Sequence, residues 1–78
     1  MDLNDFTEQI KLQFLEEDQP KVTSEIDFRK LSTWDSLTGM AIIAIIESEY
    51  GVTIPVDDFK EMRNILDLFN YVKYQRKD

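Results

Sequence analysis

Among the side chains here that can act as nucleophiles, Ser36 has the most unusual setting. It stands in the run Asp35-Ser36-Leu37, where a stretch without helical period gives way to the most apolar segment of the chain. Serines near helix starts commonly satisfy free backbone amides, so capping alone accounts for a serine at such a place. Three features point beyond it. Asp35 is itself a good N-cap residue, so a second cap is not required. The aperiodic stretch before Ser36 and the apolar helix after it put the hydroxyl at an exposed corner. An anionic group attached there would lie beside free N–H groups at the positive end of a helix dipole, a gain of roughly 0.3 to 1 kcal/mol. The chemistry this setting favours is covalent attachment.

Catalysis by the chain itself has little to draw on. There is no His, hence no Ser-His-Asp triad, no usual general base and none of the commonest metal ligand. There is no Cys, hence no disulfide and no thiolate site. The carboxylates show no spacing that favours acid–base work. The acidic clusters at 16–18 and at Asp57 and Asp58 read as solvated loop ends that could hold a divalent cation only loosely, which is not a metal site. The expectation is a protein that is not an enzyme.

The elements that must position Ser36 follow from periodicity. A first helix opens within residues 1–4 and carries Leu3, Phe6, Ile10 and Phe14 on one face, and Pro20 forbids its continuation. Residues 17–35 lack a long period and read as a long ordered loop pinned by Ile26, Phe28 and Leu31. The second helix starts at Asp35 or Ser36, is apolar nearly all round through Tyr50, and stops at Gly51. A short extended connector, 52–55, leads to a brief third helix at 56–60, with Phe59 and Met62 facing inward. Asn64 caps a last helix, with Asp67 in a capping-box-like position and Ile65, Leu68, Phe69 and Val72 as the buried stripe. The fold class expected is all-α: a four-helix bundle of three main helices and one short one, forming a single domain over 1–78.

Composition agrees. Apolar residues make up 42 % of the chain and charged residues 32 %, with two Gly and two Pro, the profile of a helix-rich globule. A domain of this size builds one modest core and has little room for a deep catalytic cavity. Sixteen acidic against nine basic side chains leave a net charge of −7, which repels nucleic acid and anionic membranes and suits docking onto basic patches of other proteins. Residues 1–20 show no apolar signal core, and the longest apolar run, 40–46, is too short to span a bilayer. A cytoplasmic monomer is expected.

The stretch 34–38, Trp-Asp-Ser-Leu-Thr, then Ile42, Ile46, Glu47, Glu49-Tyr50-Gly51 and Ile54-Pro55, resembles acyl carrier proteins, and the likeness covers nearly the whole chain. The resemblance implies that a separate phosphopantetheinyl transferase moves 4′-phosphopantetheine from coenzyme A onto the Ser36 hydroxyl. The thiol of that arm would carry an acyl group as a thioester between acyl-transferring or condensing enzymes of fatty-acid or specialised biosynthesis. A chain without Cys then borrows its thiol from the prosthetic group. The alternative is an unmodified acidic helical interaction module with a carrier-like fold.

Departures from the family pattern bear on the pathway. Fatty-acid carriers usually have a small residue or Gly two before the aspartate, whereas here Thr33 and then Trp34 precede Asp35, and Thr38 and Ala41 stand where the second helix is often acidic. The expected partner-binding set is Asp35, Leu37, Met40, Ala44, Glu47 and Glu49, with an apolar strip near Ser36 and acidic residues only at the far end. Trp34 either closes the bundle over the loop or lies beside the arm. Ile42, Ile46, Tyr50 and Phe59 are expected in the core, with Ile43 and Met62 candidates to line a space for an acyl chain. Thr38 bonds either a phosphate or its own helix.

Overall fold

A computed structural model describes residues 1–77 as four α-helices with two 3-10 turns and, among the described residues, no strand. Helix α1 spans Leu3–Lys11; the Asp2 carboxylate caps it by accepting from the Asn4 N–H at 3.0 Å. The helix is shorter than the periodicity predicts. After Lys11 the chain tightens, with Gln13 N–H donating to Ile10 O at 2.9 Å and Phe14 N–H to Lys11 O at 3.1 Å. That tightening turns Phe14 into the core beyond the end of α1, while Leu12 and Leu15 remain exposed.

The long loop is ordered by two 3-10 turns, Gln19–Lys21 with Pro20 in its first positions and Phe28–Lys30 capped by Asp27. Val22 and Phe28 are buried, and Ile26 and Leu31 are half-buried. Backbone bonds sew the loop to the far end of the molecule: Phe28 N–H donates to Arg63 O at 3.0 Å, and Leu66 N–H to Ser24 O at 2.9 Å. One expectation fails here. Asp18 is not a solvated loop end but fully buried, because it satisfies the donors of Ser32 and Thr33 across the loop.

Helix α2 spans Ser36–Tyr50 and ends at Gly51, whose φ of 71° is the left-handed C-cap conformation. It buries Thr38, Gly39, Ile42 and Ile46. After the connector, α3 covers Val56–Phe59 only, one residue less than expected, with Lys60 as its C-cap; Phe59 and Met62 are buried. Helix α4, Ile65–Arg76, opens with the full capping box: Asp67 N–H donates to the Asn64 side chain at 2.8 Å, and Asn64 N–H donates back to the Asp67 carboxylate at 3.4 Å. Its buried stripe is Ile65, Leu68, Phe69 and Val72.

The core forms where α1, α2 and α4 meet. The Phe6 ring lies 5.1 Å from that of Tyr50 and 5.5 Å from that of Phe69. Ile10, Ile42 and Ile46 are wholly buried around it, each burial stabilising by about 1.5–3 kcal/mol. Trimming Ile42 to Ala would cost about 2–5 kcal/mol, a large part of what so small a domain has. Among the described residues no helix is long and apolar enough to cross a membrane.

Candidate functional site

Ser36 is the first residue of α2 and is exposed. Asp35 does the capping: its Oδ1 accepts from the Thr38 N–H at 2.9 Å and from the Thr38 hydroxyl at 3.2 Å. Thr38 therefore bonds its own helix start, the second of the two roles expected for it. With the cap supplied from outside, the Ser36 hydroxyl has no hydrogen-bond partner among the described residues and points from the positive end of a 15-residue helix.

Beside Ser36 opens a cavity of about 360 Å³ with mostly apolar walls, lined among others by Trp34, Gly39, Met40, Ile43, Val56 and Phe59. The first role considered for Trp34 holds. Its ring stacks on Phe28 at 5.0 Å and lies 6.3 Å from Phe59, closing the bundle over the loop, and it also walls the cavity. Ile43 lines this space. Met62 does not: it is buried in the core rather than in the wall.

Gly39 explains how the wall forms. A Cβ at this position would meet Phe59 Cε2 at 3.1 Å and the Trp34 ring at 3.4 Å. The absent side chain lets both rings lie against α2. A glycine inside an apolar helix costs about 1 kcal/mol against alanine, and that unfavourable choice was the available signal for it in the sequence.

Arg29 is a second wall residue that the sequence reading missed. Asp18 is a third position whose role the sequence did not disclose. It tethers the segment that leads into Ser36, accepting from the Thr33 N–H at 3.0 Å, from the Thr33 hydroxyl and from the Ser32 hydroxyl at 3.4 Å, with Lys21 Nζ 3.7 Å away. The Thr33 hydroxyl and amide, followed by Lys21 and Ser32, hold its carboxyl below the ordinary carboxylate value, against the opposing effect of burial.

The expected partner-binding residues of α2 share one face except for Glu49. Leu37, Met40, Ala44 and Glu47 follow each other at spacings of three and four and are all exposed. Met40 leans to the cavity beside Ser36, whereas Leu37 lines a separate groove with Leu15, Thr33, Asp35 and Ala41. Glu47 accepts a hydrogen bond from the Thr53 hydroxyl. Glu49 is exposed, but at about 100° per residue it projects from the opposite side of α2. Asp57 pairs with Lys60 at 4.0 Å, and Asp58 accepts from the Tyr71 hydroxyl at 3.2 Å.

A small helical bundle that offers one free serine at a helix start, with an apolar cavity at its side, is built as a carrier of a covalently held group. Comparison with known proteins agrees. The family model described as "Phosphopantetheine attachment site" matches residues 8–72. The acyl carrier protein of Treponema denticola is 32 % identical over 63 residues, which cover 81 % of this chain and 81 % of that one. The acyl carrier proteins of Rickettsia canadensis and Rickettsia typhi are each 30 % identical over 59 residues, 76 % of this chain and 69 % of theirs. No solved structure matches significantly. The chain belongs to the phosphopantetheine-binding acyl carrier protein family. It is accordingly a carrier and not an enzyme, its prosthetic group is 4′-phosphopantetheine, and it works with a phosphopantetheinyl transferase and with enzymes of acyl metabolism.

Proposed function

We propose that Ser36 is the residue that receives 4′-phosphopantetheine and that the cavity beside it shelters the group carried on the arm. The observation that carries this reading is the exposed Ser36 hydroxyl, freed from capping by Asp35 and placed at the mouth of an apolar space of about 360 Å³. The transfer joins the Ser36 oxygen to the phosphorus of coenzyme A's pantetheine phosphate, and the nucleotide bisphosphate leaves. The serine proton goes to a base of the transferase, since no His is present in this chain to take it. When bound, the arm supplies a thiol that holds an acyl group as a thioester. This chain's residues present the hydroxyl, stabilise the phosphate charge through the α2 dipole, and exclude water from the acyl group.

Docking follows the same logic. The net charge of −7 draws the carrier towards basic patches. The residues nearest Ser36 on the exposed face of α2 are apolar, Leu37, Met40 and Ala44, with Glu47 about three turns further along. Such a face favours partner enzymes that read shape and apolar contact near the serine, which suits specialised biosynthesis as well as it suits fatty-acid synthesis. The reading takes 1–78 as one carrier domain, with a single core running from Phe6 to Val72, and as a cytoplasmic monomer.

The test is direct. The purified protein is incubated with coenzyme A, magnesium and a broad-specificity phosphopantetheinyl transferase, and its intact mass is measured. A gain of one phosphopantetheinyl group, absent in Ser36→Ala, is expected. Failure with several transferases would favour the unmodified interaction module.

A further inference from the structure

Arg29 sits at the middle of the aromatic cluster. Its guanidinium carbon is 4.9 Å from the Phe59 ring centroid, 5.3 Å from that of Trp34 and 5.7 Å from that of Phe28, all within cation–π range. The same group makes two long-range hydrogen bonds: Nη2 donates to Phe59 O at 2.6 Å and Nε donates to Met62 O at 2.9 Å. Phe59 is the last residue of α3, and Met62 lies just past it. One side chain from the loop before Ser36 thus caps the carbonyl end of α3 and lies against the rings that wall the cavity.

Helix α3 needs such outside support. It has four residues, and helices shorter than about 12 residues are marginal by themselves in water. Apart from the burial of Phe59, the described side-chain tie to α3 from another helix is the exposed bond from the Tyr71 hydroxyl to Asp58. Val56 and Phe59 of α3 form the side of the cavity that faces α2. The cavity is open on the side of Ser36, Met40 and Val56, and if α3 swings out it opens further to water.

We infer that Arg29 is a positioning residue that pins α3 as the movable wall of the cavity, and so sets how well a group carried on Ser36 is protected from water. The inference rests on the cavity being the shelter of that group. Geometry rather than charge matters here. A planar guanidinium donates to two carbonyls while lying against rings, and a lysine ammonium has neither the fork nor the flat face. Lysine is therefore the decisive substitution.

Arg29→Lys, Arg29→Met and Tyr71→Phe are compared with the unaltered protein, and thermal melts confirm that each folds. Folding is expected to survive, because the backbone bond from Phe28 to Arg63 and the Asp27–Arg63 ion pair do not involve the Arg29 side chain. The first measurement is amide hydrogen exchange by NMR on the unmodified proteins, which requires no cargo. The amides of Phe59 and Lys60, bonded to Pro55 O and Val56 O, are expected to exchange about tenfold faster or more in both Arg29 variants, while those of Ile42 and Ile46 hold. The second measurement loads a hexanoyl arm onto Ser36 from hexanoyl-coenzyme A and follows thioester hydrolysis against free hexanoyl-pantetheine. Hydrolysis several-fold faster in both Arg29 variants than in the unaltered protein is expected.

Unchanged α3 exchange in the Arg29 variants overturns the inference, as does Tyr71→Phe loosening α3 equally. Retention of full protection by Arg29→Lys also overturns it, by showing that charge suffices. If the unaltered protein protects its thioester no better than free pantetheine, the sheltering role of the cavity fails, and with it the role given to Arg29. A failed loading, seen by mass, instead refutes Ser36 as the attachment point, and the exchange rates still decide whether Arg29 pins α3.

Discussion

Asp35→Ala probes why the Ser36 hydroxyl is free. In the structure the Asp35 carboxylate takes the Thr38 N–H at 2.9 Å and the Thr38 hydroxyl at 3.2 Å. Removing a side chain of this kind from an N-cap costs about 1 kcal/mol, within a range of about 0.5–2. For a domain of this size, 1 kcal/mol lowers Tm by about 4–8 °C. A second consequence follows from position. With Asp35 gone, the nearest side chain able to cap is Ser36 itself, its oxygen accepting from the Gly39 N–H after α2 starts one residue later. The hydroxyl is then occupied, and its modification by a transferase should slow in step with the loss of stability. Asp35→Asn keeps an acceptor at the same place and should retain most of the stability. Thermal melts by circular dichroism measure the first effect, and the time course of mass gain measures the second. A Tm for Asp35→Ala within about 1 °C of the unaltered protein, or a loss for Asp35→Asn as large as that for Asp35→Ala, would refute the capping argument.

Two further outcomes are expected. Because the Asp18 carboxyl is held below its ordinary value of 3.8, the stability it contributes is fully present above about pH 4 and lost as pH falls through the lowered value. Urea melts from neutral pH to about pH 3 should show this acid loss, and Asp18→Asn should be less stable at neutral pH with a shallower acid slope; an unchanged slope would remove Asp18 from the account. For docking, Glu47→Lys should weaken binding to a cognate enzyme more than Glu49→Lys does, since only Glu47 shares the exposed face with Leu37, Met40 and Ala44. The difference should shrink as salt rises, and equal effects of the two reversals would mean that overall charge, not this face, is read.

The residues legible in the sequence are those whose roles are set by near neighbours. Asp35 as cap, Gly51 as stop and the Asn64–Asp67 box each act within about four residues, so spacing alone identified them. The buried stripe of α4 was legible for the same reason, since a helix places every third or fourth residue on one face; α2 reads as apolar nearly all round, and of its expected core residues Ile42 and Ile46 are buried while Tyr50 is half-buried. The family resemblance of the Asp-Ser-Leu start rests on the same local spacing. What the sequence did not disclose depends on partners far along the chain. Asp18 reads as one more surface carboxylate until the loop brings it to Thr33, 15 residues on. Arg29 reads as a solvated cation until Phe59 and Met62, 30 and 33 residues away, offer it their carbonyls. Met62 carries the right hydrophobicity for a cavity wall and lies in the core instead, and Glu49 is exposed on the other side of α2 from Glu47. The sequence by itself placed the start of α2 at Asp35 or Ser36 and offered Asp35 as a cap that would spare Ser36, because backbone capping is a short-range matter. Only the tertiary structure decided that an apolar cavity lies next to that serine, because its walls come from the loop, α2 and α3, which meet only when the core draws them together.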